Sequence, residues 1–196
     1  AGVCGLLSTI CPCIMAYATS KFHYKFNKVI DTIVIITMIV PIVGSQVSMV
    51  SLLHKLHLYD TMWGLYMQKF SFAGMYYLVF ASVFKGVSKE YYEAAHIDGA
   101  SEWSVMVRVA MPLVLTSFGL VFLIFFIQYW NDYQTVLLYA PSHPTVAYGL
   151  YRMMTDAAGS SERGVTSVQM AGCILIVIPV IVLFIIFRNK LMGNLT

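Results

Sequence analysis

Groups able to do chemistry are few and scattered in this chain. No serine, histidine and acid fall into the pattern of a nucleophile, base and orienter, and no pair of carboxylates is placed for acid–base work. No lysine follows a glycine, so the chain holds no P-loop for nucleotide phosphates. Cys11-Pro12-Cys13 lacks the spacing of a zinc-ligand pair, and Cys4, Cys11, Cys13 and Cys173 all lie in apolar runs, where thiols behave as small hydrophobes. His54 and His57 stand three apart and lack further ligands nearby in sequence, which reads as a solvated loop. Neither an enzyme active site, a metal site nor a cofactor is expected.

One stretch does carry spacing with a mechanism. Residues 85–112, K-G-V-S-K-E-Y-Y-E-A-A-H-I-D-G-A-S-E-W-S-V-M-V-R-V-A-M-P, hold seven of the chain's 12 basic and 9 acidic residues. Ser88 is placed to cap a first helix carrying Tyr91, Tyr92, Glu93, Ala94 and Ala95. Gly99 falls where that helix ends, at a position open to the left-handed conformation. Ser101 is placed to cap a second helix, with Glu102 near its positive end and Arg108 near its negative end. Trp103, Met106, Val107 and Ala110 recur at helical spacing as one expected apolar stripe, and Pro112 is expected to end the unit. Two capped helices outside a membrane, one with adjacent small alanines, read as a docking surface.

The elements that position this loop are apolar. The chain is 59% hydrophobic and only 11% charged, against about 25% charged in ordinary soluble domains. This predicts an all-α polytopic membrane protein, a single helical transmembrane bundle over residues 1–196. Five spans are expected at about 1–20, 29–50, 64–84, 113–133 and 165–187, each near the ~20 residues that a crossing needs. With five spans, one side receives eight Lys and Arg, among them Lys21, Lys25, Lys28, Lys85, Lys89 and Arg188. The other side receives Lys55, Lys69, Arg152 and Arg163. The positive-inside rule then makes the 85–112 loop and the C-terminus cytoplasmic. Basic residues flank apolar runs and form no patch, so no nucleic-acid partner is expected. Pro41 with Gly44, Gly119 and Pro179 mark candidate bends, although such residues are common in membrane helices anyway.

The loop resembles the cytoplasmic coupling loop of ABC importer permeases, the EAA motif: E-A-A, three residues, G, nine residues, I, any residue, L-P. Glu93, Ala94, Ala95, Gly99 and Pro112 match, while Val109 and Met111 replace the isoleucine and leucine with other apolar residues. W-N-D-Y at 130–133, I-M-A-Y-A-T-S-K at 14–21 and M-A-G-C-I-L-I-V-I-P-V-I-V-L-F at 170–184 resemble the carbohydrate, or maltose-type, branch. The resemblance covers essentially the whole chain. It implies a type I importer fold of six spans, so an N-terminal span is expected to be missing, and the family's K-G ending does not follow Gly193.

It further implies a permease that forms the translocation pathway for a sugar or oligosaccharide in a bacterial-type inner membrane. Its partners would be a dimer of ABC ATPase subunits, a second permease subunit as a heterodimer, an extracytoplasmic solute-binding protein and the lipid bilayer. Glu93, Ala94, Ala95, Gly99, Trp103, Met106 and Pro112 would couple to the ATPase. Gln128, Trp130, Asn131 and Asp132 are candidates for the substrate pathway, since polar groups alternating with aromatics suit a sugar; chemistry alone favours an interfacial belt there. The 139–164 loop is a candidate contact for the solute-binding protein, or a solvated connector. Rival readings are a permease for another solute, such as an amino acid or phosphate, an ion-coupled secondary carrier, and a passive membrane anchor. No acid or histidine falls at mid-span, which a carrier would more often show.

Overall fold

The computed structural model describes residues 1–22, 24, 26–40, 44–157 and 163–192, and among these residues every regular element is helical. The helices are α1 (Gly2–Lys21), α2 (Asn27–Ile39), α3 (Ser45–Lys55), α4 (Met62–Gln68), α5 (Met75–Gly86), α6 (Lys89–Ile97), α7 (Glu102–Val105), α8 (Met111–Trp130), α9 (Gln134–Tyr139), α10 (Val146–Ala157) and α11 (Arg163–Met192). A π-helical turn, Met106–Ala110, joins α7 to α8 without a break.

Three stretches are long and apolar enough to cross a membrane: Gly2–Lys21, Glu102–Trp130 and Ser167–Phe187. The last is largely uncovered: Ile174, Leu175, Ile181 and Ile185 lie open, as on a helix whose solvent is hydrocarbon or a partner helix. The apolar runs 29–50 and 64–84 are each interrupted, where one helix through each was expected. The first divides between α2 and α3 near Gly44, which takes φ +79°, and the second between α4 and α5 across residues 69–74. Pro41 lies outside the described residues, whereas Gly119 and Pro179 sit within continuous helices.

The chain divides into two compact units, residues 6–42 with 70–122, and residues 1–5 with 43–69 and 123–196. The first buries Cys13, Ala16, Val34, Tyr77, Phe80, Phe84, Val105, Ala110 and Val114 between α1, α2, α5 and the α7–α8 helix. The buried Tyr77 hydroxyl donates to Asp31 Oδ1 at 2.7 Å and lies 2.8 Å from Thr19 Oγ1, pinning α5 to α2 and α1.

In the second unit, Leu53, Leu65, Tyr139 and Ala140 form a core under Met49, Val50 and Leu58. Thr61 caps α4 by accepting from the Gly64 N–H at 3.1 Å, and its hydroxyl donates to the Leu58 carbonyl. The Asp60 N–H donates to the Tyr139 carbonyl, and Asp60 Oδ1 accepts from the Ser142 N–H at 3.0 Å, so this corner is tied to the end of α9.

Candidate functional site

The polar segment folds as its punctuation predicts. Ser88 accepts from the Glu90 N–H and starts α6; Gly99 takes φ +75° at its end, where the Ala100 N–H reaches the Ala95 carbonyl at 3.0 Å. Ser101 then accepts from the Ser104 N–H and starts α7. No residue of α6 is buried: Glu93 and Ala94 are exposed, Ala95 is half-buried and Ile97 is 86% exposed. A helix so bare, carrying Tyr91 and Ile97 outward, is an uncovered surface.

The end of α1 holds this surface in place. The Lys21 ammonium donates to the Glu102 carboxylate and lies 3.2 Å from His96 Nε2, while His96 Nε2 stands 3.4 Å from the other Glu102 oxygen. One lysine therefore touches both helices of the loop. Its ammonium also lies 5.3 Å from the Tyr92 ring centre, close enough for a cation–π attraction. Tyr92 in turn meets Tyr17 at 6.4 Å, and Tyr17 meets Phe84 edge-on at 5.5 Å. Burial pushes the Tyr92 hydroxyl above its ordinary pKa, and the neighbouring Tyr17 adds to the effect.

Two expectations for the second helix are corrected. Pro112 does not end it: Glu102–Trp130 is one continuous helical rod. Proline has no N–H for the carbonyl four residues back and its ring crowds that carbonyl. The π turn lies immediately upstream, with the Met111 N–H bonded to the Met106 carbonyl, and this wider turn accommodates the proline without a break. The expected stripe also splits. Met106 and Ala110 are buried together with Val105, but Trp103 is 68% exposed and Val107 is 45% exposed. A π turn spends an extra residue, so a pattern laid out at 3.6 residues per turn drifts out of register across it.

The four candidate pathway residues do not converge. The Trp130 indole N–H donates to the Ile176 carbonyl at 2.9 Å and so ties α8 to α11. Asn131 is exposed and donates to the Ile127 carbonyl of its own helix, and Gln128 is exposed. Asp132 accepts from both the N–H and the hydroxyl of Thr135, in the first turn of α9. Of the four, Asp132 alone lines a cavity of about 680 Å³, shared with Tyr66, Lys69, Tyr129, Thr135 and His143. There Lys69 stands 4.0 Å from Asp132 Oδ2 and 4.4 Å above the Tyr129 ring.

Sequence reasoning passed over Lys21, Tyr17 and the Thr19–Tyr77–Asp31 contacts. Lys21 was counted for its charge and, with Tyr17, within the 14–21 element, but with no partner for either, and the signal for Asp31 was its place inside an apolar run. His54 stacks on Tyr59 at 4.0 Å, and no group of three potential metal ligands comes together among the described residues.

This arrangement, apolar rods joined by an exposed capped helical pair, is that of a membrane transport component. The family model described as "Binding-protein-dependent transport system inner membrane component" matches residues 8–192, and the chain belongs to this family. It is 22% identical to the arabinooligosaccharides transport system permease protein AraQ of Bacillus subtilis, over 99% of this chain and 69% of that protein. It is 23% identical to the lactose transport system permease protein LacG of Rhizobium radiobacter, over 94% of this chain and 66% of that protein. With the sn-glycerol-3-phosphate transport system permease protein UgpE of Escherichia coli it shares 26% identity, over 92% and 64%. The chain thus spans about two thirds of the length of these relatives. The resemblance drawn from the E-A-A spacing is therefore borne out at the level of family and of all-helical importer-type fold.

Proposed function

We propose that this chain is the permease subunit of an ABC importer for a sugar or oligosaccharide, coupled to a partner ATPase through α6 and α7. The observation that carries the reading is the bare, capped α6 displaying Glu93, Ala94 and Ile97, clamped by Lys21. In this reading Glu93 makes a polar contact with the ATPase, Ala94 and Ala95 permit close approach, and Gly99 sets the turn between helices. Exposed Trp103 faces the partner, while buried Met106 holds the helix to its own bundle. Because Glu102–Trp130 is one rod, a push on the loop moves α8 directly, and Lys21 shares that push with α1. Coupling requires the ATPase to bind the outward- and inward-facing states with different free energies.

The five apolar runs would cross the membrane with the loop and C-terminus cytoplasmic. A second permease subunit would close the pathway, and a solute-binding protein would deliver substrate from outside. The sugar class rests on the W-N-D-Y element and on relatives named for arabinooligosaccharides and lactose; UgpE keeps a polyol phosphate within the same branch. The chain supplies no ATPase chemistry of its own in this scheme.

The test is a cysteine at Ala95, with one at exposed Tyr24 as control, in membranes holding the partner permease and ATPase. A crosslink to the ATPase specific to position 95, with a yield that changes on ATP binding, is the expected result. Its absence in a folded complex, with solute flux persisting on an ion gradient alone, would sink the importer reading.

A further inference from the structure

Where the C-terminal ends of α1 and α5 meet the start of α6, the first unit holds a pocket of about 360 Å³. Three of its lining groups are ammoniums from three separate helices: Lys21, Lys85 and Lys89. The one carboxylate in the lining is Glu93. Lys21 is matched by Glu102, whereas Lys85 and Lys89 form no ion pair among the described residues. The same wall contains Tyr17, which is only 5% exposed. Its buried hydroxyl sits beside Lys21 but makes no hydrogen bond of normal geometry. Buried polar groups without partners are rare in folded proteins, and this one asks for an acceptor. A cation does not answer that demand; an acceptor oxygen does, and beside three ammoniums an anionic oxygen fits best.

The position of the pocket narrows the anion further. Apolar α1 is long enough to cross a membrane and ends at Lys21, and α5 passes from Phe84 to Lys85 and then into the polar loop. The pocket therefore lies at the depth where hydrocarbon gives way to headgroups. Basic pockets of this kind at the cytoplasmic ends of helices bind anionic lipid headgroups. Its volume holds about a dozen water-sized groups, which is close to the heavy-atom content of a phosphoglycerol unit.

We infer that the Lys21–Lys85–Lys89 pocket, walled by Tyr17, binds the phosphate of an anionic glycerophospholipid headgroup. The inference rests on the proposed importer orientation only in assigning the headgroup to the inner leaflet. Since Lys89 and Glu93 belong to α6, a bound headgroup would moor the docking helix to the bilayer surface, so lipid charge would tune coupling.

The test uses the complete complex in lipid nanodiscs, with photoreactive probes carried on the headgroups of phosphatidylglycerol and of phosphatidylcholine. Labelling of the 14–22 and 84–96 peptides by the phosphatidylglycerol probe should exceed that by the phosphatidylcholine probe. It should fall about fivefold for each lysine lost in Lys85→Gln and Lys89→Gln, and should also fall in Tyr17→Phe, which keeps the buried ring. Equal labelling by the two probes, or labelling unchanged in all three variants, overturns the inference. Protection by inorganic phosphate without preference between the probes assigns the pocket to a free anion and also overturns it. Nucleotide-dependent crosslinking at position 95 in the same discs separates the two readings. If crosslinking persists while lipid preference is absent, the lipid site fails and the importer reading stands.

Discussion

The Lys21 ammonium lies against the Glu102 carboxylate, joining the last residue of α1 to the first residue of α7 across 81 positions of sequence. Lys21 is largely covered, at 12% exposure, while Glu102 remains half open, so water screens the pair from one side only. A double-mutant cycle of Lys21→Met and Glu102→Gln should therefore return a modest coupling energy, about 0.5–1 kcal/mol. Thermal unfolding in a lipid-like detergent measures it. Transport per ATP hydrolysed should fall further than stability does, because the pair links the docking helices to α1. A fall in stability with the transport-to-hydrolysis ratio unchanged would make the contact merely structural.

Glycine at 64 is required by a close approach. A Cβ there would stand 2.2 Å from the Leu58 carbonyl oxygen, which is backbone and cannot swing aside. Gly64→Ala should destabilise the second unit by about 1–3 kcal/mol. Gly172 provides the contrast, since its Cβ would meet only the Leu150 Cδ1 at 2.8 Å, the far end of a flexible side chain. Gly172→Ala should cost distinctly less in the same unfolding assay.

The legible part of this fold was local. Caps at Ser88 and Ser101 and the left-handed glycine at Gly99 are written in short spacings, and each is found in place. What escaped is long-range or departs from ideal period. The contacts of Lys21 with Glu102 and of Tyr77 with Asp31 join residues far apart in sequence, which no local pattern reveals. Trp103 was assigned to an apolar stripe because a 3.6-residue period was carried through 106–110, where the helix is wider. Trp130 was a candidate for sugar by composition, but its indole is spent on a backbone carbonyl.

That last contact gives a direct prediction. Trp130→Phe keeps the ring and removes the hydrogen bond to the Ile176 carbonyl, which should lower stability by about 1 kcal/mol. Solute affinity, measured as the KM for transport, should stay unchanged. A raised KM at unaltered stability would return Trp130 to the translocation pathway.

Asp60 predicts a dependence on acidity. Hydrogen bonds from the Ser142 side chain and N–H, together with the nearby His143 charge, hold its carboxyl below the ordinary value of 3.8. A carboxyl with a depressed folded pKa stabilises the fold above the ordinary value, and that contribution is lost as pH falls through the folded pKa. Asp60→Asn should therefore be less stable than the parent above about pH 4, with the difference vanishing under stronger acid. Parallel thermal scans of the two proteins across that range provide the comparison.

The π turn sets the facing of the docking helices relative to α8. One residue of α-helix corresponds to about 100° of rotation, and the π turn spends one extra residue, so deleting Val107 should let the turn close to ordinary α geometry while Glu102–Met106 keep their facing. Met106 would then stay buried and Trp103 exposed. Cysteines placed at 103 and 106 report this directly: a water-soluble thiol reagent should modify 103 and spare 106 in the parent and in the deletion alike. Nucleotide-dependent crosslinking at Ala95 should survive, since α6 and its caps precede the deletion, and transport should survive with it because the push still reaches α8 in register. A reagent that reaches 106 after the deletion would show that the turn does not absorb the extra residue.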